Sequence, residues 1–226
     1  MNARSMLTEQ PAKAPHAHSS TWAADLLRAQ IASGELLPGT KLSEQALAES
    51  LGLSRNTLRE SFTLLDSELI ITRIPNRGVF VASPDADDVR EIYAVRRTIE
   101  PACLAWGPNV DLGALSAIIA TARKAYAAND VARMADANQE FHKQLVLTSG
   151  SLLLQELMGR VLARMRLVFH AMSDAPDFHS HYVEQNATLV ELLAAGQRQE
   201  AAQTLRGYLD MAEAELLRHL AVSDPE

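Results

Sequence analysis

The chain has 226 residues, 47% of them hydrophobic, and a formal net charge of −7, enough for a small domain and one larger one. A single cysteine, Cys103, excludes an internal disulfide and points to a reducing, cytoplasmic setting. No stretch approaches the roughly 18 apolar residues of a membrane span, and residues 1–20 lack the apolar core of a signal peptide.

Residues 1–20, with Pro11, Pro15, His16 and His18, predict a disordered arm whose histidines are solvated. A first helix is expected over about 22–33, followed by a turn through Gly34 and Gly39. Two short capped helices come next. Ser43 can cap the first while Leu42 packs on Leu47, and Ser54 can cap the second while Leu53 meets Leu58. Gly52 lies between them, where the chain turns back and a left-handed backbone is wanted. Helix, glycine turn and helix make a helix-turn-helix.

From Ser54 the apolar positions Leu58, Phe62 and Leu65 define one buried face. Arg55, Asn56, Thr57, Arg59 and Thr63 are left toward the open side. The N-terminal turn of such a second helix enters the major groove. There Arg55 and Arg59 suit guanine or phosphate, Asn56 suits adenine, and Thr57 suits a phosphate or a thymine methyl. A hairpin is predicted from strands at 69–74 and 79–81 around Pro75-Asn76-Arg77-Gly78. Arg77 at its tip would meet the backbone or the minor groove, and Arg73 is either a DNA contact or a charge guarding a sheet edge. Residues 21–83 are therefore expected to form a winged helix-turn-helix DNA-binding domain. Its expected contacts are Gln45, Ser54, Arg55, Asn56, Thr57, Arg59, Arg77 and Gly78.

Charge divides the chain. Residues 1–82 hold eight basic and eight acidic side chains, so residues 83–226 carry the entire −7. An acidic body behind a neutral reader with clustered arginines suits a dimer that binds one site without coating DNA. Residues 84–88 form a short polar linker rich in acids that also favour a helix start. Beyond it only helical periodicity appears, over 86–106, 111–128, 131–149, 151–172, 177–195 and 198–221. Six helices with short loops imply an antiparallel bundle over 86–222. The fold class is mainly α, with a winged helix-turn-helix followed by a six-helix bundle.

Residues 24–83 resemble the GntR family of bacterial transcription regulators, through Leu37-Pro38-Gly39, Leu51-Gly52-Leu53-Ser54-Arg55, Leu58-Arg59-Glu60 and Arg77-Gly78. Asn56-Thr57 stands where the family often carries Thr-Pro or Thr-Thr, and Glu68 stands where it usually has a glycine. The second half resembles the FCD ligand-binding domain of the FadR subfamily. The residues that carry this are Tyr93 to Pro101 with Arg96-Arg97, Asn138-Gln-Glu-Phe141-His142, and Leu192 to Gly196. Six helices favour the VanR-like variant.

The FCD resemblance implies a divalent-metal site built from an Asp or Asn and three histidines. Its positions here are Asn138, His142, Asn186 and Tyr208, so His142 is the one histidine kept. Amides and a neutral phenol are weak ligands for such an ion. No cofactor is therefore expected, and the site reads as a metal-free polar pocket. Arg96 is the expected clamp for a carboxylate ligand, with Glu100 as its alternative partner. The implied function is a ligand-responsive regulator, a repressor, binding a palindromic operator as a homodimer under control of a small organic acid. The competing readings are a helical domain that is only a dimerisation scaffold, and a helical enzyme that does not use DNA. No nucleophile–base pair or phosphate loop supports the enzyme, and no membrane partner is expected.

Overall fold

The computed structural model describes residues 19–171 and 176–223. Residues 1–18 of the expected arm and the expected helix break at Asp174 and Ala175 lie outside the described residues. The chain divides into two compact units, residues 1–84 and 85–226.

In the first unit α1 (Ser19–Ser33) begins earlier than the sequence pattern predicted and includes Ser19 and Ser20, which had been counted with the arm. It buries Ala23, Ala24, Leu27 and Ile31. Small residues at two of these positions let α1 lie close to α3, with which it packs. The helix pair starts at the two serines. Ser43 Oγ accepts from the Ala46 amide to cap α2 (Glu44–Leu51), and Ser54 Oγ accepts from the Thr57 amide to cap α3 (Arg55–Ser67). Gly52, at φ +64°, accommodates the left-handed turn that ends α2. Leu58, Phe62 and Leu65 are fully buried, and their helix packs on α1, on α2 and on the strand that begins at Ile71.

The wing has three strands. β2 (Ile71–Ile74) and β3 (Gly78–Val81) form the expected hairpin, and β1 (Lys41–Leu42) pairs with the other edge of β3 to give the order β1-β3-β2. The sequence pattern started the first wing strand at residue 69, two residues too early. Leu69 instead adopts φ +59° and Ile70 N donates to Leu65 O, so both residues close the end of α3. Leucine thus occupies a left-handed position of the kind that favours glycine, one residue after Glu68.

Glu68 has work of its own. Arg28 on α1 donates from Nε to Glu68 Oε2 at 2.9 Å and from Nη2 to Oε1 at 2.7 Å, a two-pronged clasp between α1 and the end of α3. A left-handed leucine costs about 1–2 kcal/mol. Glycine's extra unfolded-state freedom would offset about 0.5–1 kcal/mol of any gain. Leu69→Gly is therefore expected to raise stability by about 0.5 kcal/mol. Leu69→Ala keeps the Cβ and should give no gain; urea unfolding of the two variants compares them.

In the second unit six helices are described: α4 (Ala86–Trp106), α5 (Leu112–Ala127), α6 (Val131–Leu147), α7 (Leu152–Ala171), α8 (Pro176–Ala194) and α9 (Arg198–Ser223). Asp85 caps α4 in a reciprocal box. Its carboxylate accepts from the Asp87 and Asp88 amides, and the Asp88 carboxylate accepts from the Asp85 amide. α4 continues through Pro101 and packs most extensively on α9, with α6 and α7 also against it. The inward face of α4 is not uniformly apolar: Val89, Ile92, Tyr93, Cys103 and Leu104 are interrupted by buried Arg96 and Glu100. The bundle core therefore contains a polar centre.

Candidate functional site

On α3 the residues opposite the buried face are exposed: Arg55, Asn56, Arg59 and Thr63. Most of the expected readers are held by neighbours in the free protein. Arg59 Nε lies 3.3 Å from Glu44 on α2. Asn56 donates to Glu60 at 3.0 Å, and Gln45 donates to Glu49 at 3.0 Å. The Thr57 hydroxyl is 2.8 Å from that of Ser54. Sequence reasoning missed these carboxylates as partners. Exposed pairs of this kind are worth about 0–1 kcal/mol, so a DNA phosphate or base edge can replace them. The same acids repel phosphate wherever the readers find no partner.

At the wing tip Arg77 and Gly78 are exposed, and Asn76 at φ +61° follows Pro75 in the turn. Gly78 has φ +111°, so the backbone fixes the glycine, while the flexible Lys41 end 3.3 Å from where a Cβ would stand could move aside. Lys41 lies over the Phe80 ring at 5.8 Å and adds a cation beside the wing that the sequence analysis had not assigned to DNA. Arg73 points back onto α3, donating to Thr63 Oγ1 at 3.2 Å and pairing with Asp66 at 3.4 Å. It clips the wing to the reading helix, a role neither sequence reading anticipated.

In the second unit Arg96, Asn138, His142, Asn186 and Tyr208 are all buried, and four helices bring them together. The first partner is the one the sequence offered as an alternative: Arg96 Nε donates to Glu100 Oε1 at 2.7 Å. Arg96 also lies over the Tyr93 ring at 4.9 Å. Glu100 Oε2 is 2.7 Å from His142 Nδ1, and His142 Nε2 is 3.0 Å from the Tyr208 hydroxyl. Tyr208 also reaches Asn138 Oδ1 at 3.2 Å, which accepts from Asn186 Nδ2 at 2.8 Å. Asn186 Oδ1, fully enclosed, has no hydrogen-bond partner among the described residues.

Charge states follow from these distances. Burial alone would raise the Glu100 carboxyl, but the Arg96 guanidinium and the His142 ring hold it down at about 2. Burial lowers His142, and Arg96 adds to this, against the pull of Glu100. Burial raises the Tyr208 phenol, which keeps its proton. An ionised Glu100 can only accept, so a neutral His142 carries its proton on Nδ1 and offers Nε2 as an acceptor.

An internal carboxylate already occupies the Nε side of the Arg96 fork, the alternative partner that the sequence offered. The family's metal also fits poorly. Both nitrogens of His142 are engaged, the other donors are two amides and a protonated phenol, and among the described residues no group of three or more His, Cys, Asp or Glu side chains converges.

These parts define a DNA-binding transcription regulator, a winged helix-turn-helix reader joined to an all-helical domain with a polar centre. The chain belongs to the GntR family: residues 20–81 match "Bacterial regulatory proteins, gntR family" and residues 91–211 match the FCD domain. It is similar to the crystal structure of a GntR transcriptional regulator from Rhodococcus sp. RHA1, at 38% identity and a TM-score of 0.83, covering 88% of this chain and 97% of that one. E. coli McbR/YncC shares the fold at 22% identity and a TM-score of 0.76, covering 88% and 97%. The gluconate operon transcriptional repressor of Bacillus licheniformis is 40% identical over 74 residues, 33% of this chain and 30% of the repressor. The family and these relatives are regulators, not enzymes. Among the described residues no helix is long and apolar enough to cross a membrane.

Proposed function

We propose that the protein is a cytoplasmic, ligand-responsive repressor that binds a palindromic operator as a homodimer and needs no resident metal. Residues 21–83 supply the DNA-binding domain, residues 84–88 the linker, and residues 86–222 the ligand-binding and dimerisation domain. Arg55, Asn56, Thr57 and Arg59 read the major groove. Gln45 and the capped start of α3 at Ser54 position the helix on phosphate, and Arg77 with Gly78 carries the wing contact. The small ligand is held among Arg96, Asn138, His142, Asn186 and Tyr208. It acts by favouring one of two arrangements of the paired readers, which changes their fit to the two half-sites.

The observation that supports ligand control is the polar centre itself. Buried ion pairs are commonly no more stabilising than apolar residues of the same volume. Packing alone thus gives no reason for Arg96, Glu100, His142, Asn138 and Asn186 to share the middle of a bundle. The scaffold reading draws on the extent to which these groups satisfy one another.

A mobility-shift assay with the chain's own upstream DNA is expected to give a specific complex at moderate salt that resists excess unrelated DNA. Binding that unrelated DNA removes equally well would sink the reading. Small-molecule libraries screened on that complex separate ligand control from the scaffold reading, which predicts indifference to every compound.

A further inference from the structure

We propose that the polar centre of the helical domain takes a neutral hydrogen-bond donor, an alcohol O–H or amide N–H, at Asn186 Oδ1, rather than a free acid. This names the ligand class of the site proposed above and rests on that reading. The centre holds more acceptors than protons to fill them. Tyr208 has one hydroxyl proton and two acceptors in reach, His142 Nε2 at 3.0 Å and Asn138 Oδ1 at 3.2 Å. Asn138 Oδ1 already receives Asn186 Nδ2, while Asn186 Oδ1, on a side chain only 3% exposed, receives nothing among the described residues. An enclosed carbonyl oxygen without a donor costs about 1–3 kcal/mol. A donating ligand recovers that energy.

Charge argues against the other ligand classes. The acid's natural counter-ion, Arg96, is 2% exposed and already bonded through Nε to Glu100, whose second oxygen faces His142. A second carboxylate would meet that anion and several acceptor lone pairs. An ammonium would meet the Arg96 cation, whose charge Glu100 already balances. Neutral donors face neither obstacle. Tyr208 is also flanked by rings, with Tyr182 at 4.9 Å and His142 at 5.6 Å, and Phe178 lies 5.0 Å beyond Tyr182.

The test uses the full chain with acetamide and acetate as matched probes, followed by saturation-transfer NMR titration. Acetamide should bind saturably, acetate should not bind at the same concentrations, and Asn186→Leu should weaken acetamide by about tenfold. Circular dichroism reports whether Asn186→Leu folds. If it does not, NOEs from acetamide to the Tyr208 and His142 ring protons of the unaltered protein carry the test, and their absence overturns the proposal. Tighter binding of acetate, displacement of acetamide by equimolar zinc, an unchanged affinity in Asn186→Leu, or no acetamide binding each overturns it too. Operator binding is assayed on the same samples. Loss of a specific DNA complex would refute the regulator reading without touching the ligand class, and a failed probe test leaves DNA binding standing.

Discussion

Replacing Glu100 with alanine is expected to destabilise the protein by about 3–5 kcal/mol, because one half of a buried ion pair then stands alone. Arg96 and Glu100 are 2% and 0% exposed, so water cannot take over the lost contact. His142 Nδ1 loses its acceptor at the same time. The double variant Arg96→Met/Glu100→Leu removes both charges and should recover most of the loss, since apolar pairs of similar volume are often as stable. Urea unfolding of the full chain by circular dichroism measures both. If the single and double variants lose equally, the pair is filling space rather than balancing charge.

The same network makes stability depend on pH in a fixed sense. Glu100 is held at about 2 in the folded chain against an ordinary 4.5. Its contribution is complete above the unfolded value and is lost as pH falls from about 4.5 toward 2. His142 is lowered from 6.5 by burial, so below 6.5 the unfolded chain binds a proton that the folded chain resists. That also lowers stability as pH falls. Acid should therefore weaken the fold in two stages, beginning below about 6.5. His142→Gln should remove the upper stage and leave the lower one, which unfolding midpoints measured between pH 7 and pH 3 can show.

Local signals made the scaffold legible. Ser43, Gly52 and Ser54 fix the helix pair whatever surrounds it, and the described bounds of the bundle helices fall close to the expected ones. The wing start was misplaced because Leu69-Ile70-Ile71 looks like an apolar strand run ending in two β-branched residues. Only the helix-closing bond from Ile70 N to Leu65 O shows that its first residues end a helix. The polar centre was half legible. The resemblance to the FCD domain reached Asn186 and Tyr208, and both are buried with His142. Glu100 was visible only as a possible partner four residues from Arg96. A stronger signal was available: Tyr93, Arg96 and Glu100 fall at core spacing on one helix face, which a solvated pair would not need to do. What the sequence could not give is pairing across helices, such as Arg59 with Glu44 or His142 with Tyr208, because it depends on how separate helices are packed.

Arg55→Ala is the variant that tests reader and assembly together. A bidentate contact to a guanine is worth about 1–3 kcal/mol of discrimination. In a symmetric dimer one substitution removes it from both half-sites, so an operator with two intact halves should lose about 2–6 kcal/mol, twice the loss on DNA carrying one half. A phosphate contact would instead weaken all sequences alike and reduce the salt dependence. Arg59 should behave differently, because it must first leave Glu44 at 3.3 Å. Glu44→Gln frees that arginine and removes an acid facing the phosphates. It should therefore raise affinity for unrelated DNA more than for the operator, narrowing the gap between them. If Arg55→Ala costs the same on one half-site as on two, the readers are not acting as a symmetric pair. If Glu44→Gln leaves the gap unchanged, the acids along this face are not what keeps the helix selective.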